Sequence, residues 1–133
     1  MAKKNNEYRE NNLKFLEENA TKPGVVTTYS GLQYKIINQG NGPKPQKRSV
    51  VLVYYKGTFI NGKQFDSNMS DRYPAAFRTN ELIRGWGELL TYMSVSSTFE
   101  AYIPYNLGYG ERGVPGIRPY STLIFRVKLV SIG

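Results

Sequence analysis

Cysteine and histidine are both absent from this 133-residue chain. Without cysteine there is no disulfide framework, no thiol nucleophile and no zinc–thiolate site. Without histidine the usual general base near neutral pH is missing, and so is the commonest zinc ligand. No metal and no cofactor are expected, and any chemistry has to rest on carboxylates, hydroxyls, aromatic rings, main-chain groups or shape. Long apolar runs are missing too: nothing approaches the ~18–20 residues that a membrane span requires. The opening Met1-Ala2-Lys3-Lys4-Asn5-Asn6 lacks the apolar core of a signal peptide. As written, the chain reads as soluble and cytoplasmic; a chain shortened at its start would read the same, so a periplasmic protein stays open.

Acidic residues are scarce, 10 against 18 lysines and arginines, for a net charge of +8. Such a balance raises nucleic acid or an anionic membrane surface as partners. The most basic stretch, Lys35 to Arg48, holds four cations and no acid, but it is rich in glycine and proline and has only Tyr34 at its edge. That composition suits a loop after a strand rather than a stacking platform for bases, so no nucleic-acid partner is expected.

What is present is mostly strand-forming. Residues 1–24 read as a short helical extension with a weak stripe of Tyr8, Leu13, Phe15 and Leu16, in which Asn12 and Asn19 are poor helix formers. It ends near Lys22-Pro23-Gly24. Residues 25–133 read as the main domain. Val25–Tyr29, Leu32–Ile37, Val50–Ile60, Lys63–Asp66, Ala75–Arg78, Thr98–Ile103 and Thr122–Ile132 carry strand signals. Asn61-Gly62 is a strong hairpin turn. Leu82, Ile83, Trp86, Leu89, Leu90 and Met93 repeat at helical spacing. The fold class is therefore α+β: a twisted antiparallel sheet wrapped on one short central helix, with a short N-terminal helix added.

Two apparent motifs carry little. Gly108, Gly110 and Gly113 spell G-x-G-x-x-G, but Pro115 and Pro119 follow at once, so no helix can start there to hold a dinucleotide. Asp66 and Asp71 form a carboxylate pair, yet loop aspartates among Ser, Asn and Arg more often build turns or ion pairs. The aromatic content says more: eleven Tyr, six Phe and one Trp. Most suit a core. Tyr105, Tyr109 and Tyr120, however, lie in a Gly/Pro-rich loop, where a tyrosine can line an apolar hollow with its hydroxyl available.

Several segments in order then resemble one family. They are Val53-Tyr54-Tyr55-Lys56-Gly57, Asn61-Gly62-Lys63-Gln64-Phe65-Asp66-Ser67, Leu82-Ile83-Arg84-Gly85-Trp86, Tyr102-Ile103-Pro104, Leu107 through Ile117, and Ser121-Thr122-Leu123-Ile124-Phe125. From about Gly31 to Gly133 the chain is similar to the FKBP-type peptidyl-prolyl cis-trans isomerases, in the bacterial branch that includes the macrophage infectivity potentiator. The resemblance implies a catalytic pocket of Tyr55, Phe65, Asp66, Ile83, Trp86, Tyr109 and Phe125, with Trp86 as the floor under the proline ring. It implies the Ile83 amide and the Tyr109 hydroxyl as binders of peptide carbonyls. Glu81, Leu82, Val114, Ile117, Arg118 and Tyr120 are implied as further substrate contacts. Proline-containing segments of unfolded or flexible proteins become the expected partners, and macrolides such as tacrolimus or rapamycin the expected small ligands.

The sequence also departs from that pattern. Asp71 stands where relatives often carry an arginine able to pair with the aspartate at position 66, and Arg72 follows one residue later. Ile117-Arg118-Pro119-Tyr120 replaces a common Ile-Pro-Pro, placing a charge at the pocket rim. Ser96 stands where a turn glycine is common, which costs stability if the site needs a positive φ. Two other readings stand beside isomerase activity: a peptide-binding module or chaperone of the same fold that turns over poorly, and a polyanion-binding basic domain.

Overall fold

The computed structural model describes residues 2–133; Met1, the first residue of the expected extension, lies outside the described residues. The elements are α1 (Ala2–Asn19), β1 (Val25–Thr27), β2 (Gln33–Asn38), β3 (Val50–Thr58), β4 (Gln64–Ser67), β5 (Ala75–Arg78), α2 (Arg84–Tyr92), β6 (Thr98–Ile103) and β7 (Leu123–Ile132). Single 3-10 turns occupy Thr79–Glu81 and Tyr105–Leu107. All strand pairs are antiparallel. The sheet order is β1-β2-β6-β7-β3-β4, with β5 also on β3. The last strand of the chain is thus central, between β6 and β3.

Alternation along the strands decides the two faces. On β7, Leu123, Phe125, Val127 and Leu129 are buried while Arg126 and Lys128 are exposed. Val51 and Val53 of β3 and Phe99, Ala101 and Ile103 of β6 join them, and α2 lays Trp86, Leu89 and Leu90 over this face. The hairpin between β3 and β4 turns at Asn61-Gly62, where Gly62 takes φ +87° without strain. Ser96 adopts φ +77°, so the turn before β6 does place a side chain in the left-handed region.

The N-terminal helix docks through more than its apolar stripe. It spans 18 residues, within the stretch where the sequence predicts it. Of the Tyr8–Leu13–Phe15–Leu16 stripe, Leu13 is exposed while the other three lie on the docked face. The buried residues are Asn12, Leu16 and Asn19, flanked by half-buried Tyr8, Arg9 and Phe15. These fall on one face at helical spacing. The asparagines are tethers. Asn12 Oδ1 accepts from the Thr122 amide at 2.8 Å. Asn19 donates to Gln33 Oε1 at 2.8 Å, and Gln33 donates in turn to the Leu16 carbonyl at 2.8 Å. Phe15 packs on Tyr102, ring centroids 6.3 Å apart. Both Gln33 and Tyr102 point away from the main core, so α1 covers part of the opposite face of the sheet.

Candidate active site

Where α2 crosses the sheet, aromatic side chains from four elements converge. Trp86, in the first turn of α2, is 4% exposed. Tyr55 of β3 meets its ring edge-on at 5.3 Å, Phe125 of β7 at 5.3 Å and Phe77 of β5 at 6.1 Å. Edge-to-face contacts of this kind hold a ring in one orientation. The indole therefore forms a fixed floor. Phe65 of β4 extends the wall, perpendicular to Phe125 at 5.5 Å and stacked on Phe59 at 4.7 Å. One small residue makes this possible. Gly57 pairs with Phe125 across the β3–β7 ladder, and a Cβ there would lie 2.7 Å from both the Phe125 and Phe65 rings.

Above the floor is a cleft of about 320 Å³, lined by Tyr55, Asp66, Phe77, Glu81, Leu82, Ile83, Trp86, Tyr109 and Phe125. That size suits a small-molecule or peptide-fragment site. The Tyr55 hydroxyl donates to Asp66 Oδ2 at 2.9 Å. Burial, the hydrogen bond to Asp66 and the Asp66 charge push the Tyr55 phenol up to about 12. Tyr55 thus stays neutral and keeps donating to Asp66 through the physiological range. Asp66 forms no ion pair with Arg72; the guanidinium lies over the Tyr73 ring instead, 5.4 Å from its centroid.

The donors come from two places. α2 starts without a side-chain cap on Ile83. Its first amides have no intrahelical acceptor, and among the described residues none pairs with the Ile83 N–H. This end of the helix carries partial positive charge toward the cleft. Tyr109, 38% exposed, projects from the long loop between β6 and β7. Its loop is braced by bonds from Gly113 N–H to the Tyr109 carbonyl at 3.1 Å and from Tyr120 N–H to the Gly110 carbonyl at 3.1 Å.

The structure brings most of the expected site residues into one place and puts others elsewhere. Tyr55, Asp66, Glu81, Leu82, Ile83, Trp86, Tyr109 and Phe125 line the cleft. Phe65 stands behind Phe125, and Ile117 packs on the core beside it. Val114 is exposed on the loop and bridges to Ile117. Arg118 and Tyr120 face α1. The Arg118 guanidinium sits 3.9 Å above the Tyr8 ring, and Arg9 sits 4.8 Å above the Tyr120 ring. Tyr120, with φ +65°, also packs edge-on against Tyr105.

Two residues escaped the sequence reading. Phe77 lines the cleft from a four-residue strand, where a lone Phe looks like ordinary core. Asn68 is buried, accepts from the Tyr55 amide at 2.7 Å and donates to the Val53 carbonyl at 3.0 Å. It replaces a strand partner where β4 ends and so fixes the backbone of Tyr55. A single polar residue in a polar loop gives no pattern that would reveal this.

The cleft is not the largest hollow. One of about 580 Å³ runs beside α2 on the far side of Leu82, between the loop at Pro45–Lys47 and Thr91. Among the described residues no aromatic side chain lines it, so the aromatic cleft is the better candidate for an apolar site. Among the described residues no group of three or more acidic side chains converges as a metal site would need, and no helix is long and apolar enough to cross a membrane.

A family model described as FKBP-type peptidyl-prolyl cis-trans isomerase matches residues 42–130, and one described as the domain amino-terminal to that isomerase matches residues 1–36. The FKBP-type 22 kDa peptidyl-prolyl cis-trans isomerase of Escherichia coli is 50% identical, over 90% of this chain and 59% of its own length. The outer membrane protein MIP of Legionella longbeachae is 46% identical, over 99% of this chain and 60% of its own. The crystal structure of FkpA from Escherichia coli superposes with a TM-score of 0.94 at 37% identity, over 99% of this chain and 62% of that one. The chain thus spans about three fifths of the length of these relatives.

Proposed function

The chain belongs to the FKBP-type peptidyl-prolyl cis-trans isomerase family, and on that premise we propose that its aromatic cleft accelerates rotation about Xaa-Pro bonds in unfolded or flexible chains. The observation that carries this is the boxed indole of Trp86 beneath a cleft with carbonyl-binding donors on its rim.

Rotation about a peptide bond faces a barrier of ~18–20 kcal/mol, because twisting breaks amide resonance. No nucleophile is needed and no proton has to leave. The planar amide is strongly polar; the twisted one is less so. A cleft walled by Tyr55, Phe77, Trp86 and Phe125 disfavours the planar state relative to the twisted one. The Ile83 amide and the Tyr109 hydroxyl hold peptide carbonyls on either side of the turning bond. Asp66, kept in place by Tyr55, supplies a fixed negative charge near the prolyl nitrogen. Proline is the natural target, since other residues rarely populate cis. Its ring suits the indole face, and macrolides such as tacrolimus or rapamycin are proposed to compete for the same cleft. Residues 1–24 are proposed as a helical extension and 25–133 as the isomerase domain.

Trp86 is the chain's single tryptophan, which gives a direct reporter. Titration with a short Xaa-Pro peptide should change its emission, and the same peptide should isomerise faster in a coupled assay. Emission changes without acceleration would instead support a binding module; neither effect would end the proposal.

A further inference from the structure

Arg118 faces a second hollow, formed only because α1 docks against the domain. It holds about 420 Å³ and lies between Tyr8 and Asn11 of α1 and the tip of the β3–β4 hairpin. Tyr8, Phe59 and Ile60 give it an apolar floor. Lys63 and Arg118 stand on its rim with the amides of Asn11 and Asn61, and no carboxylate lines it. The acids of α1 nearest in sequence, Glu7 and Glu10, are exposed and line no part of it. Among the described residues neither Lys63 nor Arg118 has an ion-pair partner.

Arg118 is held in place rather than free. Its guanidinium lies over the Tyr8 ring at 3.9 Å, a contact that fixes a cation without neutralising it. Ser121 donates to the Arg118 carbonyl at 2.8 Å. A serine has one O–H, so the 2.7 Å contact between Tyr8 Oη and Ser121 Oγ is donated by the phenol. Helix, loop and cation form one unit. Two like charges over an apolar floor suit a segment that carries carboxylates and aliphatic carbon together.

We propose that this groove binds an acidic segment of the same client chain whose proline occupies the aromatic cleft; the proposal deepens the isomerase reading and rests on it. The distance allows it. Three ring-to-ring steps, 5.3 Å from Trp86 to Phe125, 5.5 Å to Phe65 and 4.7 Å to Phe59, lead from the cleft floor to the groove. An extended chain covers that span in about four to six residues. The groove therefore selects prolines with two or more Asp or Glu about that far away.

The test compares Xaa-Pro peptides that carry Glu-Glu five residues before or five residues after the proline with Gln-Gln controls. For the wild type at low salt, one acidic peptide should show kcat/KM about three- to tenfold above its control, as two partly exposed charge pairs allow. The gain should sit in KM. It should fall toward one in Lys63→Gln/Arg118→Gln, measured as the acidic-to-control ratio within each protein, and toward one in 0.5 M salt, where the screening length is ~4 Å. A ratio near one in the wild type overturns the proposal. So does a ratio that the double variant leaves unchanged, which would assign it to the long-range field of the basic chain. A proline-free acidic hexapeptide separates this from the isomerase reading: amide shifts confined to Asn61, Lys63 and Arg118 support the groove even if catalysis fails, and their absence overturns it.

Discussion

At the scale of single residues, the proposed activity separates side chains that hold the fold from those that would act on the peptide. Trp86 is proposed to do both, and Trp86→Ala should cost about 3–5 kcal/mol of stability besides activity. Phe65 is half-buried and gives the cleaner test. Phe65→Ala should lower kcat/KM about ten- to hundredfold, about 1.4–2.7 kcal/mol of transition-state stabilisation, by removing the ring that backs Phe125, with the far-UV spectrum kept. Tyr109→Phe should lose about three- to tenfold, since it deletes one hydrogen bond worth about 0.5–1.5 kcal/mol. Steady-state rates on one neutral peptide check both.

Ser96 is a second residue-scale case. Its φ of +77° is a left-handed conformation, and its side chain makes no hydrogen bond. Such a conformation costs an L-residue roughly 1–2 kcal/mol, part of which Gly would return to the unfolded chain as entropy. Ser96→Gly should therefore raise Tm by about 2–5 °C in a thermal scan. The backbone bonds from Ser96 N–H to the Leu129 carbonyl and from Asn38 to the Ser96 carbonyl remain available to glycine.

At the scale of elements, legibility followed periodicity. β3, β6 and β7 alternate cleanly, α2 repeats at helical spacing, and Asn61-Gly62 marks its turn, so their places could be read directly. Tyr55, Trp86 and Phe125 came with them. The docking face of α1 was only partly legible, because two asparagines tether it beside Phe15 and Leu16. Asn12 and Asn19 look like weak helix formers, and only their distant partners, Thr122 and Gln33, show why they are there. Arg118 and Tyr120 illustrate the same limit. Sequence order places them in the loop that carries Tyr109, but their orientation depends on a helix about a hundred residues earlier. Asn12→Ala would leave the buried Thr122 amide without an acceptor. It should destabilise by about 1–3 kcal/mol in urea unfolding, with the change in midpoint rather than slope.

At the scale of the whole molecule, charge and topology set the pH response. Glu88 of α2 is partly desolvated by burial, which raises its carboxyl. Hydrogen bonds from Ser30, Tyr92 and Thr28, with the Arg84 charge, outweigh this and hold it below its ordinary value. Ser30 donates to one oxygen at 2.5 Å and Tyr92 to the other at 2.7 Å, tying the turn before β2 to α2. A depressed carboxyl stabilises the fold above its unfolded pKa, and that stability is lost as pH falls through the folded value. Urea midpoints for the wild type should drop below about pH 4.5 more steeply than those of Glu88→Gln.

The central claim is that rotation is accelerated by shape and low polarity, with no acid or base. Its most direct test is the rate of cis–trans exchange of a neutral Xaa-Pro peptide, followed by NMR from pH 6 to 9. The chain has no histidine or cysteine, the residue types that ordinarily titrate there, and Tyr55 is pushed up to about 12. The account predicts exchange well above the uncatalysed rate and flat across the range. No acceleration, or a bell-shaped profile, would contradict it.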